Sequence, residues 1–113
     1  EANSKSMILG QYVVITGHGG PKNALYFIFD TESRGFSNAF IGTHLVWQYD
    51  DLSTAAYVDG SNILSIDGRT LAELDLAENE YVYGLSYSQD GTVLTATIVS
   101  SEETERIVRL TLP

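Results

Sequence analysis

The two histidines and fifteen acidic residues of this sequence are its most evident candidates for metal binding or proton transfer. His18 and His44 are far apart in the chain, and cysteine is absent. Because a zinc site needs three or four converging ligands, two isolated histidines do not predict one. Aspartates in predicted turns cap their own backbone, and those of this chain lack the D-x-D-x-D-G spacing of a calcium loop: Asp50, Asp51, Asp59, Asp67 and Asp90. We therefore predict no metal ion and no cofactor.

Aromatic side chains form the second group of candidate site residues. The sequence has seven tyrosines and one tryptophan, and several of them fall on predicted strands: Trp47, Tyr49, Tyr57, Tyr81, Tyr83 and Tyr87. Exposed together, these rings would form a platform for a carbohydrate or a protein partner. On alternating strands, however, aromatic rings more often cover a half-buried sheet face. Both interpretations stay open, and an acidic platform of this kind would suit a neutral or cationic ligand.

The segment His18-Gly19-Gly20-Pro21 follows an apolar strand and resembles the oxyanion loop of prolyl-oligopeptidase-like hydrolases. That resemblance implies a G-x-S-x-G nucleophile segment elsewhere in the chain. The nearest match runs from Gly84 to Ser88, lacks the second glycine and lies in a predicted hairpin. We therefore predict a glycine-rich loop and no catalytic residues. The hydrolase alternative requires Ser86 to lie within hydrogen-bond reach of a histidine, with a carboxylate behind it.

Composition limits the classes of partner. The chain has 113 residues and a net charge of −9, with only six Lys and Arg residues. Such a charge repels nucleic acid and anionic membranes, and no apolar run approaches the roughly 18 residues of a membrane helix. We expect residues 1–6 to be a flexible lead and residues 7–113 to form a single domain.

The elements that must position these side chains are short strands separated by Gly-rich and Asp-rich turns, which predicts an all-β antiparallel domain. The predicted strands are 7–9, 11–16, 24–30, 36–41, 44–49, 54–58, 62–66, 81–88, 93–99 and 105–112. Asp50 to Ser53 is expected to be a turn. The segment from Arg69 to Leu76 has a capping box at Thr70 that favours a helix, but its period of two favours a strand.

The clearest signal is a β-hairpin that turns at Asp90-Gly91. A two-residue loop would pair Tyr87 with Leu94, Leu85 with Ala96 and Tyr83 with Ile98. This register would place the bulky side chains of both arms on one face, with Tyr81 in the same row. A glycine bulge would shift the pairing by one residue and exchange the faces of the second arm.

Similar strand groups recur at intervals of about 40 residues, the length of a four-stranded repeat. The segment from Gly84 to Leu94 resembles the "W-S-P-D-G-K" segment of TolB-like and WD40-like β-propeller blades, with Leu85 in place of Trp and Gln89 in place of Pro. The resemblance implies about three blade-like sheets, too few for a closed propeller. A β-sandwich is the alternative architecture. The sequence as a whole also resembles those of small surface lipoproteins of Gram-positive bacteria.

These features predict a non-enzymatic binding or interaction module, at the surface of a bacterium or secreted from it. Its partner is expected to be a protein or a carbohydrate. The alternatives are a propeller-like portion of a hydrolase and a structural unit that assembles with copies of itself into a homo-oligomer.

Overall fold

The structure is a computed structural model that describes residues 5–18, 24–49 and 51–111. These residues form ten β-strands and no helix, which confirms the all-β prediction. The strands are β1 (Lys5–Leu9), β2 (Tyr12–His18), β3 (Ala24–Asp30), β4 (Gly35–Gln48), β5 (Asp51–Asp59), β6 (Asn62–Ser65), β7 (Thr70–Glu73), β8 (Glu80–Tyr87), β9 (Val93–Ser100) and β10 (Glu105–Thr111). Strand β1 begins inside the segment 1–6 that was expected to be a lead, and residues 1–4 of that lead lie outside the described part of the chain.

Every pairing between strands is antiparallel and joins neighbours in the sequence. Strands β1 to β7 follow one another across a seven-stranded sheet, and β8 to β10 form a three-stranded sheet. Among the described residues, no helix is long and apolar enough to span a membrane.

The long strand β4 connects the two halves of the seven-stranded sheet. Its first part, residues 35–42, pairs with β3, and its second part, from Thr43 to Gln48, pairs with β5. The prediction of two separate strands, 36–41 and 44–49, was therefore wrong. The strand bends between them, because the β4–β5 register shifts between Thr43 and Val46, and His44 there adopts a positive φ of 58°.

The bend brings the two halves of the large sheet face to face. The ring of Phe40 in the first half stacks on Tyr57 in the second, with centroids 4.3 Å apart. The first hydrophobic core lies between the halves: Leu9, Val14, Tyr26 and Ile28, with Leu45, Trp47 and Leu52 packed against them. Strands β4 and β5 approach each other so closely at Gly42 that a Cβ atom there would lie 2.5 Å from the Tyr57 ring and 2.7 Å from the Val58 carbonyl oxygen.

A second hydrophobic core joins the other side of β5 to β7 to the three-stranded sheet: Ala56, Val58, Ile63, Leu74, Val82, Leu85, Leu94, Ala96 and Ile98. The four consecutive residues from Ala55 to Val58 are all buried. Because successive side chains of a strand point to opposite faces, β5 is covered on both sides. It is the central strand of the molecule.

Two turn regions differ from the sequence prediction. Asp51 to Ser53 belongs to β5, since Gln48 pairs with Asp51 and the connection between the strands is confined to residues 49–50. In the ambiguous segment 69–76, only Thr70–Glu73 is a strand. Beyond it the chain leaves the sheet so that Leu74 and Leu76 enter the second core. The strand prediction was thus correct for the first half of this segment only.

The hairpin of β8 and β9 confirms the preferred register at Tyr87↔Leu94 and Leu85↔Ala96. The pairing of Tyr83 with Ile98 was wrong, because a bulge between Val82 and Gly84 pairs Ile98 with Val82 instead. This bulge reverses the alternation of side chains, so that Val82 is buried while Tyr81 and Tyr83 are exposed.

Candidate functional site

A groove of about 950 Å³ lies at one edge of the contact between the two sheets. It is formed by the bend in β4, the β5–β6 turn, the β7–β8 connection and the start of β8. The residues that line it are Thr43, His44, Val58, Asp59, Gly60, Leu76, Ala77, Glu80, Tyr81, Val82 and Tyr83. Val58, Leu76 and Val82 belong to the second core, which gives the groove an apolar floor beneath a polar and aromatic rim.

Tyr81 and Tyr83 supply the aromatic part of this rim. Their exposed fractions are 52% and 67%, although both lie on β8, where Val82 between them is buried. The β8 bulge explains this arrangement, since it turns two tyrosines toward the groove that a regular strand would have turned inward. Large exposed aromatic rings beside a groove are a common feature of binding surfaces.

His44 lies on the opposite wall, at the bend of β4. Its Nδ1 atom is 3.0 Å from the hydroxyl oxygen of Thr43, its chain neighbour. A non-glycine residue with positive φ is uncommon, and such residues are often found at functional sites. Asp59, at the end of β5, also lines the groove and adds a carboxylate. This wall therefore offers one imidazole, one hydroxyl and one carboxylate to a ligand.

Glu80 is the second acidic side chain of the groove, and Arg106 of β10 binds it through two guanidinium nitrogens, Nε and Nη2. The distances are 3.0 Å from Nε to Oε2 and 3.1 Å from Nη2 to Oε1. Arg106 also donates to the Asp75 carbonyl oxygen, and the Ala77 N–H donates to Glu80. These hydrogen bonds, led by that of Arg106, lower the pKa of Glu80 to about 2. Glu80 is thus an ionised residue that fixes the β7–β8 connection against β10.

The remaining aromatic candidates do not lie on this groove. Tyr57 is only 5% exposed and packs between the halves of the large sheet, and Trp47 packs against the first core. Tyr87 packs against the second core and donates a hydrogen bond to the Thr54 carbonyl oxygen. Tyr49 is exposed, but its hydroxyl donates to the Gln89 carbonyl oxygen at the β8–β9 turn. The six residues therefore do not form one platform.

The aspartates of the turns have hydrogen-bond partners of their own. Asp90 accepts hydrogen bonds from the hydroxyls of Ser88 and Thr92 and from the Thr92 N–H, and these bonds lower its pKa to about 2. Asp67 accepts from Ser65 in a similar turn, and its pKa is also lowered, chiefly by that bond. Within the described residues there is no group of three or more His, Cys, Asp or Glu side chains placed to hold a metal ion.

The residues of the hydrolase alternative are not placed together by any described contact. Ser86 is exposed on β8, opposite Thr95, and it does not line the groove that contains His44. Gly19 to Pro21 and the side chain of His18 lie outside the described residues. The hydrolase alternative therefore stays a prediction.

Sequence reasoning missed the wall formed by Thr43, His44 and Asp59. His44 was expected at the start of a strand near solvent, and Asp59 in an ordinary turn. The signal for the bend was present in Gly42-Thr43, which separates the predicted strands 36–41 and 44–49, but this spacing alone did not indicate a groove. Only the folded chain brings four segments distant in sequence to one edge.

Comparisons with protein-family models, with curated proteins and with solved structures found no match to this chain.

Proposed function

We propose that this chain is a non-enzymatic binding module and that the groove between its two sheets binds a neutral oligosaccharide. The observation that carries the proposal is the pair of exposed rings, Tyr81 and Tyr83, on the rim of that groove. Tyrosine presents an apolar ring face with a polar hydroxyl at its tip. This combination suits a sugar ring, which has apolar C–H faces and a polar edge.

The polar wall supports the same class of ligand. Asp59 and His44 offer hydrogen-bond acceptors and a ring nitrogen to sugar hydroxyls, while Val58 and Leu76 supply an apolar floor. A small number of convergent polar groups over an apolar lining is typical of small-molecule sites. A chain with a net charge of −9 also disfavours anionic polysaccharides and favours neutral or cationic ones.

The ionised state of Glu80 does not suit the proton donor of a glycosidase. A glycosidase needs a second carboxyl that stays protonated near neutral pH to donate a proton to the leaving oxygen. Asp59 and Glu80 are the two acidic residues of the groove, but Arg106 holds the pKa of Glu80 at about 2. Glu80 would therefore be a poor proton donor, and its bidentate contact with Arg106 suits a structural role.

The binding proposal is tested by titrating the labelled chain with neutral oligosaccharides, with a glucosamine oligomer and with an anionic polysaccharide, followed by NMR chemical shifts and calorimetry. We expect shifts centred on Tyr81, Tyr83 and His44 with a neutral or cationic sugar. Tyr83→Ala should weaken binding about ten-fold or more, as expected for a stacking residue. The matched control is Tyr49→Ala, since Tyr49 is also exposed but does not line the groove. Unchanged binding by Tyr83→Ala, or preference for the anionic polymer, would refute the proposal.

We also infer that the chain is a stack of three blade-like units. In this interpretation the seven-stranded sheet consists of two units, and the three-stranded sheet is the third. The bend in β4 separates residues 5–42, which contain β1 to β3, from residues 43–73, which contain β5 to β7, and residues 80–111 form the third unit. The face-to-face packing of successive units supports this interpretation. We further propose the location expected from the sequence, on a bacterial surface or outside the cell, which antibody labelling of intact cells would test.

A further inference from the structure

The outward side of β1 to β4 is almost entirely apolar. In the register of these strands, Ile8 pairs with Val13, Val13 with Phe29, and Phe29 with Phe36, so that all four lie on one side. Other rows of this side follow the same pattern, and we define the apolar face by six of its large members: Ile8, Val13, Phe27, Phe29, Phe36 and Ile41. An apolar sheet face normally packs on a second layer, because its contact with water is unfavourable.

No described element covers the apolar face. Neither hydrophobic core includes any of its members, because both cores lie on other sides of the sheets. Ile8 is 76% exposed and Phe36 is 64% exposed. These are the most exposed large apolar residues of β1 to β4, and they lie in the same row. The face is therefore a continuous patch and not a set of scattered surface residues.

The outward side of β8 to β10 shows what a water-facing sheet looks like in the same molecule. There Ser86 pairs with Thr95, and Thr95 with Arg109, so that one row carries two hydroxyls and a charge. The apolar face has no charged member, and the polar residue in its rows is Ser6, beside Ile15. Two outward surfaces of one small chain thus differ sharply in polarity.

An aromatic cluster lies within the apolar face. The ring of Phe36 makes edge-to-face contacts with Phe27 and Phe29, with centroids 5.9 and 5.3 Å apart. Clustered aromatic side chains that pack on one another yet remain exposed are typical of the centre of a protein interface. Their mutual contacts also hold the rings in place before a partner arrives, which lowers the entropy lost on binding.

We propose that the apolar face is the interface of a twofold-symmetric dimer of this chain. Four strands about 4.8 Å apart and three rows about 7 Å apart give the face about 400 Å² of projected area. This area is below the roughly 600 Å² per partner of the smaller stable interfaces, so we expect a weak dimer that depends on concentration. Two such sheets pack face to face about 10 Å apart in the manner of a β-sandwich.

Charge and symmetry favour a second copy over other occupants. Each chain carries a net charge of −9, so an anionic membrane would repel it. Two copies joined through an uncharged face place no like charges opposite each other at its centre. The outward side of β8 to β10 is a poorer partner for this face, because burying Thr95 and Arg109 against phenylalanine rings would leave polar groups unsatisfied. A symmetric pairing of apolar face with apolar face avoids this cost.

The proposal is tested by sedimentation and light scattering of the 113-residue chain over a concentration series reaching about 100 μM, where a dimer with a Kd of roughly 1 μM is almost complete. We expect a mass of twice the 12.4 kDa of one chain. Phe36→Lys should raise the dimer Kd about ten-fold or more, because it places a charge in the aromatic cluster of the interface, where the charge would lose water without gaining a partner. Tyr83→Lys is the matched control, since it changes an equally exposed aromatic residue outside the apolar face.

Circular dichroism and the urea midpoint establish that both variants are folded, so that a change of mass reports on association. A wild-type chain that stays monomeric throughout the series would overturn the proposal, and so would a dimer that Tyr83→Lys disrupts and Phe36→Lys leaves intact. Flotation of a monomer with neutral lipid vesicles would point to a lipid surface as the occupant and would equally overturn it. None of these results depends on whether the groove binds a sugar.

Discussion

The close approach at Gly42 gives a sharp test of how the two halves of the large sheet meet. A Cβ atom at this position would lie 2.5 Å from Cδ2 of Tyr57 and 2.7 Å from the Val58 carbonyl oxygen. The first contact is with a ring already stacked on Phe40, and the second is with backbone, so neither neighbour can move away freely. We therefore expect Gly42→Ala to strain the bend.

The size of this effect follows from two opposing contributions. Overpacking of a filled site costs about 1–3 kcal/mol, and two contacts below 3.0 Å suggest the upper half of that range. Replacing glycine by alanine also restricts the unfolded chain, which stabilises the fold by about 0.5 kcal/mol. The net loss should be about 2 kcal/mol, or a fall of about 8 °C in Tm for a chain of this length.

The measurement is urea unfolding followed by the fluorescence of Trp47, the only tryptophan of the chain. The matched control is Gly84→Ala, because a Cβ atom at Gly84 meets nothing within 4 Å, and this variant should be neutral or slightly stabilised. The double variant Gly42→Ala/Tyr57→Val should lose less stability than the two single changes together, since the smaller side chain relieves one clash. Surface substitutions usually change the free energy of unfolding by no more than about 0.5 kcal/mol. If the free energy of unfolding of Gly42→Ala lies within about 0.5 kcal/mol of the wild-type value, the described approach of the two halves is wrong.

Three further predictions follow from the core, the Glu80 ion pair and the hydrolase alternative. Leu94→Ala should lower the free energy of unfolding by about 2–5 kcal/mol in urea titrations, because Leu94 is fully buried in the second core. The Glu80 carboxylate should stabilise the fold at pH values above its ordinary pKa of 4.5. This contribution to the free energy of unfolding should disappear as the pH falls toward about 2. Glu80→Gln should accordingly flatten the loss of stability between about pH 5 and pH 2, whereas Glu102→Gln, at an exposed turn, should leave it unchanged. Finally, a fluorophosphonate probe should fail to label Ser86 in intact-mass measurements. If the probe labels the wild-type chain but not Ser86→Ala, that result would support the hydrolase alternative.

Most strands were predictable because their signals are local. A continuous apolar run identified Ala24 to Asp30, and alternating residues on both sides of Asp90-Gly91 identified the β8–β9 hairpin, without knowledge of the fold. A period of two and a turn residue that tolerates positive φ depend only on neighbouring positions. Gly91 has the expected positive φ, of 75°.

The errors have a common cause, which is that each depends on contacts with distant parts of the chain. The bulge beside Tyr83 allows Val82 and Leu85 to enter the second core together, and no local pattern signals it. The bend at His44 exists because the two halves of the sheet bury each other's apolar sides. The groove combines both irregularities, so the sequence offered Tyr81 and Tyr83 as binding candidates but did not place His44 and Asp59 in the same groove.

The strictly sequential pairing of strands has a consequence for how such a chain can change its length. Since each strand pairs only with its neighbours in sequence, a hairpin could be gained or lost at either end without any threading of the backbone through existing structure. Pairing of this kind also keeps the loops that must close during folding short. Variation in the number of hairpins between otherwise similar proteins is therefore an easy evolutionary step for this architecture.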